Sequence, residues 1–107
     1  MQLHHALKDF LGKPPSEGNL AISVFSGGGL EVEFYEPKDI DRQGAHSRDE
    51  VYIIARGSGT FAATAREDVM FSAGDMLFVA AHVEHRFTQF SSDFATWVFF
   101  FGREHDA

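Results

Sequence analysis

The chain has 107 residues with no cysteine, twelve phenylalanines, and 16 acidic against 9 basic residues, for a formal net charge of -7. This length supports one modest core, the missing thiols exclude disulfides and thiolate metal sites, and the acidic balance weighs against nucleic acid and anionic membrane surfaces as partners. Met1-Gln2-Leu3-His4-His5 has no basic run leading into an apolar one, and no stretch nears the ~20 apolar residues of a membrane span, so a cytoplasmic protein is expected.

Leu3, Ala6, Leu7, Phe10 and Leu11 recur at helical spacing, which predicts a short N-terminal helix over 1–12, stopped by Gly12 and Pro14-Pro15. Its apolar stripe is expected to lid a sheet; a membrane-surface anchor would need a basic polar face, which is missing. Apolar and β-branched residues predict a strand over 20–25. Strict alternation predicts a second over 30–34, joined to the first by Gly27-Gly28-Gly29. A glycine trio also suits a phosphate cradle, but that use needs a helix N-terminus after it, and a strand follows here.

Further strands are predicted over 51–55, 60–65, 69–72, 76–80, 85–90 and 94–101, separated by glycine-rich or acidic turns. So many short strands with almost no helix predict an all-β sandwich or small barrel over 20–101, with 102–107 a polar tail and 1–107 one domain. In the last strand Thr96, Val98 and Phe100 share one face while Trp97, Phe99 and Phe101 share the other. Both faces need burial. One can line the core; the other calls for a homodimer partner or for cover from elsewhere in the chain.

Two stretches, 45–52 and 74–87, place polar donors at the mouths of apolar strands, where such side chains need a partner or a job. One ion holds nitrogen and oxygen ligands about 2.0 to 2.2 Å away, so its donors must converge. In a straight strand His46 and Glu50 would share a face yet lie roughly 13 Å apart, at about 3.3 Å per residue. The polar Ser47-Arg48-Asp49 offers the bend that closes this gap. With His85, they give two imidazoles and a carboxylate, a facial set suited to a divalent metal with open positions.

These two stretches resemble the paired motifs of the cupin superfamily, over 45–89. In the usual first motif, two histidines one residue apart are followed by a glutamate and then a glycine. His46 fits the second histidine, Glu50 follows with three residues between, and Gly57 follows Glu50 with six between. In the second motif Gly74 and His85 hold their places. The sixteen residues 58–73 between the motifs, and the wording Asp49-Glu50-Val51-Tyr52 and Gly74-Asp75-Met76-Leu77-Phe78-Val79, are similar to compact bacterial single-domain members. Departures are Gly44 at the first histidine, Ala80 at the usual proline, His82 at the usual glycine and Gln89 at the usual asparagine.

The resemblance implies an RmlC-like jelly roll, or double-stranded β-helix, with a divalent metal ion (Fe, Zn, Ni or Mn) on His46, Glu50 and His85 and a small-molecule ligand at its open positions. Dioxygenase, isomerase and lyase chemistry all occur among such proteins. A non-catalytic binding or sensing cupin with a degenerate metal site is the alternative. Gln43, one residue from the missing histidine, and His82 are further candidate donors. Each residue also has a plainer role. His85 suits a satisfied core histidine, His46 an exposed loop, and Glu50 an ion pair with Arg48 or Arg86. His82 suits a turn at positive φ, where histidine is tolerated. His4, His5 and His105 suit solvated positions near the termini. Tyr52 and Phe87 lie two residues past Glu50 and His85, hence on the same strand faces, and are expected to line the pocket and favour an aromatic or apolar ligand.

Overall fold

A computed structural model describes residues 2–102. Eight antiparallel strands form two facing sheets: β1 (Ile22–Gly27), β2 (Leu30–Tyr35), β3 (Asp49–Arg56), β4 (Ser58–Ala63), β5 (Val69–Ser72), β6 (Met76–Val79), β7 (His85–Phe90) and β8 (Ala95–Phe101). The five-stranded sheet runs β1-β2-β8-β3-β6 and the three-stranded sheet β5-β4-β7. Gly28 and Gly29, both at positive φ, make the two-residue β1–β2 turn, a conformation the missing Cβ permits without strain. Gly57 is held even more tightly. At φ 87°, a Cβ there would come within 2.8 Å of the Phe94 Cα, so the motif glycine is required where β3 passes into β4.

Register decides which residues look inward. Across β3 and β8, Glu50 faces Phe100, Tyr52 faces Val98 and Ile54 faces Thr96, and all six are buried. Opposite them, Phe61 of β4, Phe71 of β5 and Phe87 of β7 point in from the smaller sheet, and Phe94 closes the β7–β8 turn. Phe87 lies 4.9 Å from Tyr52 and from Phe61, 5.4 Å from Phe71 and 4.8 Å from Phe94, centroid to centroid. The phenylalanine-rich composition thus becomes an aromatic core filling one half of the barrel.

The N-terminal helix expected over 1–12 is replaced by a strap with one short 3-10 turn, Leu7–Asp9, none of whose residues is buried. Ala6 offers no side-chain cap, Gly12 and two prolines follow, and an isolated helix of this length is marginal in water. Phe10 does more as an anchor. Its ring packs 5.8 Å from Phe34 and 5.4 Å from Trp97 on the outer face of the larger sheet, and the Gly12 N–H donates to Glu36 Oε1 at 2.9 Å. Leu3, counted in the helical stripe, is 96% exposed. Of the tail 102–107, residues 103–107, His105 among them, lie outside the described residues.

Trp97 therefore receives part of its cover from this strap, as the intramolecular alternative anticipates. Toward the β6 edge the same face stays open. There Phe78 pairs with Val51 and Met76 with Ile53, and Phe78 and Met76 are 57% and 62% exposed. Among the described residues no helix is long and apolar enough to cross a membrane.

Candidate metal centre

Glu50 is the first inward residue of β3 and His85 the first residue of β7, so the two sheets bring a carboxylate and an imidazole to the same mouth of the barrel. His46 precedes β3 on a bend at Ser47 and Arg48. Two ties set that bend: the His82 N–H donates to the His46 carbonyl at 2.6 Å, and the Ala81 N–H donates to Asp49 Oδ1 at 2.9 Å. Arg48 fixes it from outside, donating to Glu31 Oε1 at 3.0 Å and to the Gly29 and Gly102 carbonyls. This bend closes the separation that a straight strand would impose.

The ligand atoms of His46, Glu50 and His85 all lie within 4.8 Å of one another. His85 Nε2 sits 2.9 Å from Glu50 Oε1, and His46 Nε2 sits 3.9 Å from Glu50 Oε2. Arg48, a candidate partner of Glu50, is engaged with Glu31 instead. His85 Nδ1 lies 2.9 Å from the Val83 carbonyl, a bond in which the ring donates its Nδ1 proton and turns Nε2 toward the site. Tyr52 Oη is 2.9 Å from that Nε2 and donates to Gln43 Oε1 at 3.3 Å. Gln43 Oε1 in turn lies 3.4 Å from His46 Nε2.

Electrostatics follow from this crowding. Burial works against the His85 imidazolium, yet the Glu50 hydrogen bond, the Val83 carbonyl and the nearby carboxylates together raise its pKa. Burial, reinforced by the Glu50 charge, holds the Tyr52 hydroxyl well above the usual phenol range, so Tyr52 remains a proton donor at neutral pH. Among the described residues, two buried side-chain polar atoms have no hydrogen-bond partner: Glu50 Oε2 and Gln43 Nε2. A buried carboxylate oxygen without a hydrogen bond, facing an imidazole, is costly in a closed core and suited to a cation. The donor set fits a divalent ion.

Structure and sequence agree unevenly on the remaining residues. Gln43 reaches the centre with its amide oxygen. His82 sits on an exposed turn at φ 66°, and the converging group contains His46, Glu50 and His85 without it. Tyr52 puts its hydroxyl on the floor of the site. Phe87 is core beneath that floor, 1% exposed. The opening above, about 320 Å³, is lined instead by Gln43, Gly44, Ala45, Ala63, Thr64 and His85, among others. Its wall mixes small apolar residues with polar ones where an aromatic one was expected.

Asp41 escaped sequence reasoning altogether. It is 2% exposed and accepts from the Tyr35 hydroxyl at 2.6 Å, the Gln43 N–H at 3.0 Å and the Phe87 N–H at 2.9 Å. Burial and the Asp41 hydrogen bond raise the Tyr35 pKa, which keeps that donor protonated. No local motif marks Asp41, because its partners come from β2, the loop and β7.

No family model and no curated protein matches the chain, but solved structures do. A chain from the crystal structures of the DMSP lyases RdDddP and RnDddQII is 24% identical over 70% of this chain and 38% of its own, with a TM-score of 0.58. A candidate mannose-6-phosphate isomerase from Ralstonia eutropha JMP134 is 19% identical over 94% of this chain and 98% of its own, TM-score 0.68. An RmlC-like cupin with a double-stranded β-helix fold from Methanocaldococcus jannaschii is 13% identical over 83% and 86%, TM-score 0.63. At these identities the likeness establishes the fold: this chain has the all-β double-stranded β-helix fold seen in cupin structures. It spans well under half the length of the lyase chain.

Proposed function

We propose that this chain is a metal-binding cupin that acts on a small organic molecule at His46, Glu50 and His85. The observation that carries this reading is the buried Glu50 Oε2, which has no hydrogen-bond partner and is set 3.9 Å from one imidazole while Oε1 meets another. A divalent ion bound there, Fe, Zn, Ni or Mn, supplies Lewis-acid or dioxygen-activating chemistry. The chain's own residues do the rest. Gln43 offers a neutral oxygen where the usual histidine is missing, and Tyr52 holds a proton at the floor of the site. Gly44, Ala45 and Ala63 leave room for a small polar substrate above His85. The lyase and isomerase names of two structural relatives support an enzyme in this chemical range.

One observation favours a second reading, a non-catalytic binding or sensing cupin. His85, Glu50, Tyr52 and Gln43 form a connected set of short contacts among themselves, as a mutually satisfied polar cluster would. Metal content of the purified protein, before and after substitution of His85, separates the two. The open apolar face around Phe78 and Met76 supports a homodimer in either case.

A further inference from the structure

We infer that Asp41 is a positioning residue for the metal centre, a carboxylate whose three hydrogen bonds fix the Gln43–His46 arm relative to His85. This inference rests on the metal-binding reading above. A fully buried carboxylate is costly, and Asp41 is satisfied by three neutral donors, with no cation paired to it among the described residues. Such a group stabilises poorly for its cost, but it is directional.

Its partners lie where position matters. Oδ1 takes the Gln43 N–H at 3.0 Å, and the Gln43 side chain carries the amide oxygen 3.4 Å from His46 Nε2. Oδ2 takes the Phe87 N–H at 2.9 Å, two residues along β7 from His85. The Tyr35 hydroxyl, at 2.6 Å, braces Oδ1 against the end of β2. Asp41 thus joins the loop bearing Gln43 and His46 to the strand bearing His85, while the His82 N–H secures His46 from the other side. An Asn at 41 keeps the shape but presents an NH2 where one of these N–H donors needs an acceptor.

The test compares Mn²⁺ and Zn²⁺ affinity of metal-stripped wild type, Asp41→Asn and Tyr35→Phe by calorimetry, at a temperature where each is folded, with the Co²⁺-loaded visible spectrum as a second readout. Supporting groups of this kind change metal affinity by about 10–100-fold when removed. Asp41→Asn is expected to weaken binding by that order and shift the Co²⁺ bands, with Tyr35→Phe weakening it less. Wild-type affinity and an unchanged spectrum in Asp41→Asn, whatever its melting temperature, overturn the inference and leave the metal reading standing. Should Asp41→Asn fail to fold, Tyr35→Phe decides: unaltered affinity and bands overturn the inference. A wild type that binds neither ion overturns the metal reading itself, and the inference with it.

Discussion

Glu50 Oε1 and His85 Nε2 meet at 2.9 Å although one belongs to the five-stranded sheet and the other to the three-stranded sheet. A contact of that length between a carboxylate oxygen and an imidazole nitrogen requires a proton or a cation between them. The neighbouring Glu50 Oε2 has no hydrogen-bond partner and lies 3.9 Å from His46 Nε2. Closure of the barrel thus assembles half of a ligand set at its mouth, and the bend before β3 delivers His46 to the other half.

His82 separates backbone tolerance from ligation. Its φ of 66° is a conformation that costs an L-residue roughly 1–2 kcal/mol and glycine nothing. His82→Gly is expected to retain wild-type metal content and to unfold within about 1 kcal/mol of wild type in denaturant titration, since relief of that strain offsets the flexibility glycine adds. Loss of metal would make His82 a ligand.

Glu33 predicts a pH dependence. Burial first, then the charges of Glu31 and Glu50, raise its carboxyl above the ordinary glutamate value of 4.5. The folded state therefore holds this proton more tightly than the unfolded chain, and that contribution is complete below the unfolded value and lost as pH rises through the folded one. Glu33→Gln is expected to be more stable than wild type at neutral pH, with the gap closing as pH falls toward 4.5. Urea titrations across this window check the sign; a variant less stable at neutral pH would show that the Glu33 charge is stabilised in the fold.

Phe78 tests the homodimer. It is 57% exposed beside Val51 on an outer face that the strap only partly covers. Phe78→Lys is expected to convert a dimer to a monomer in analytical ultracentrifugation. A monomeric wild type, or a variant that stays dimeric, removes this face as the interface.

Where the sequence carried local signals, it was legible. Strands 69–72 and 85–90 appear with the bounds that periodicity predicts, because their turns, Ala73-Gly74-Asp75 and Ser91-Ser92-Asp93, are chemically explicit. The convergence of His46, Glu50 and His85 was legible from motif spacing. What failed was non-local. The helical spacing of Leu3 to Leu11 could not show that Phe10 packs against Phe34 and Trp97 on the sheet. Strand alternation placed Tyr52 and Phe87 inward, but not at which depth, so Phe87 became core and the small residues of a loop and of β4 became the wall. Two of the three partners of Asp41, Tyr35 and Phe87, belong to different sheets, a pairing that local sequence does not encode.

The most direct measurement is elemental analysis of protein purified after metal-replete expression, for wild type, His85→Ala and Glu50→Gln, each confirmed folded by circular dichroism. Near-stoichiometric divalent metal is expected in wild type and background levels in both variants, since one loses an imidazole and the other exchanges the anionic ligand for a neutral oxygen. Metal-free wild type, or variants that keep a full complement, would contradict it.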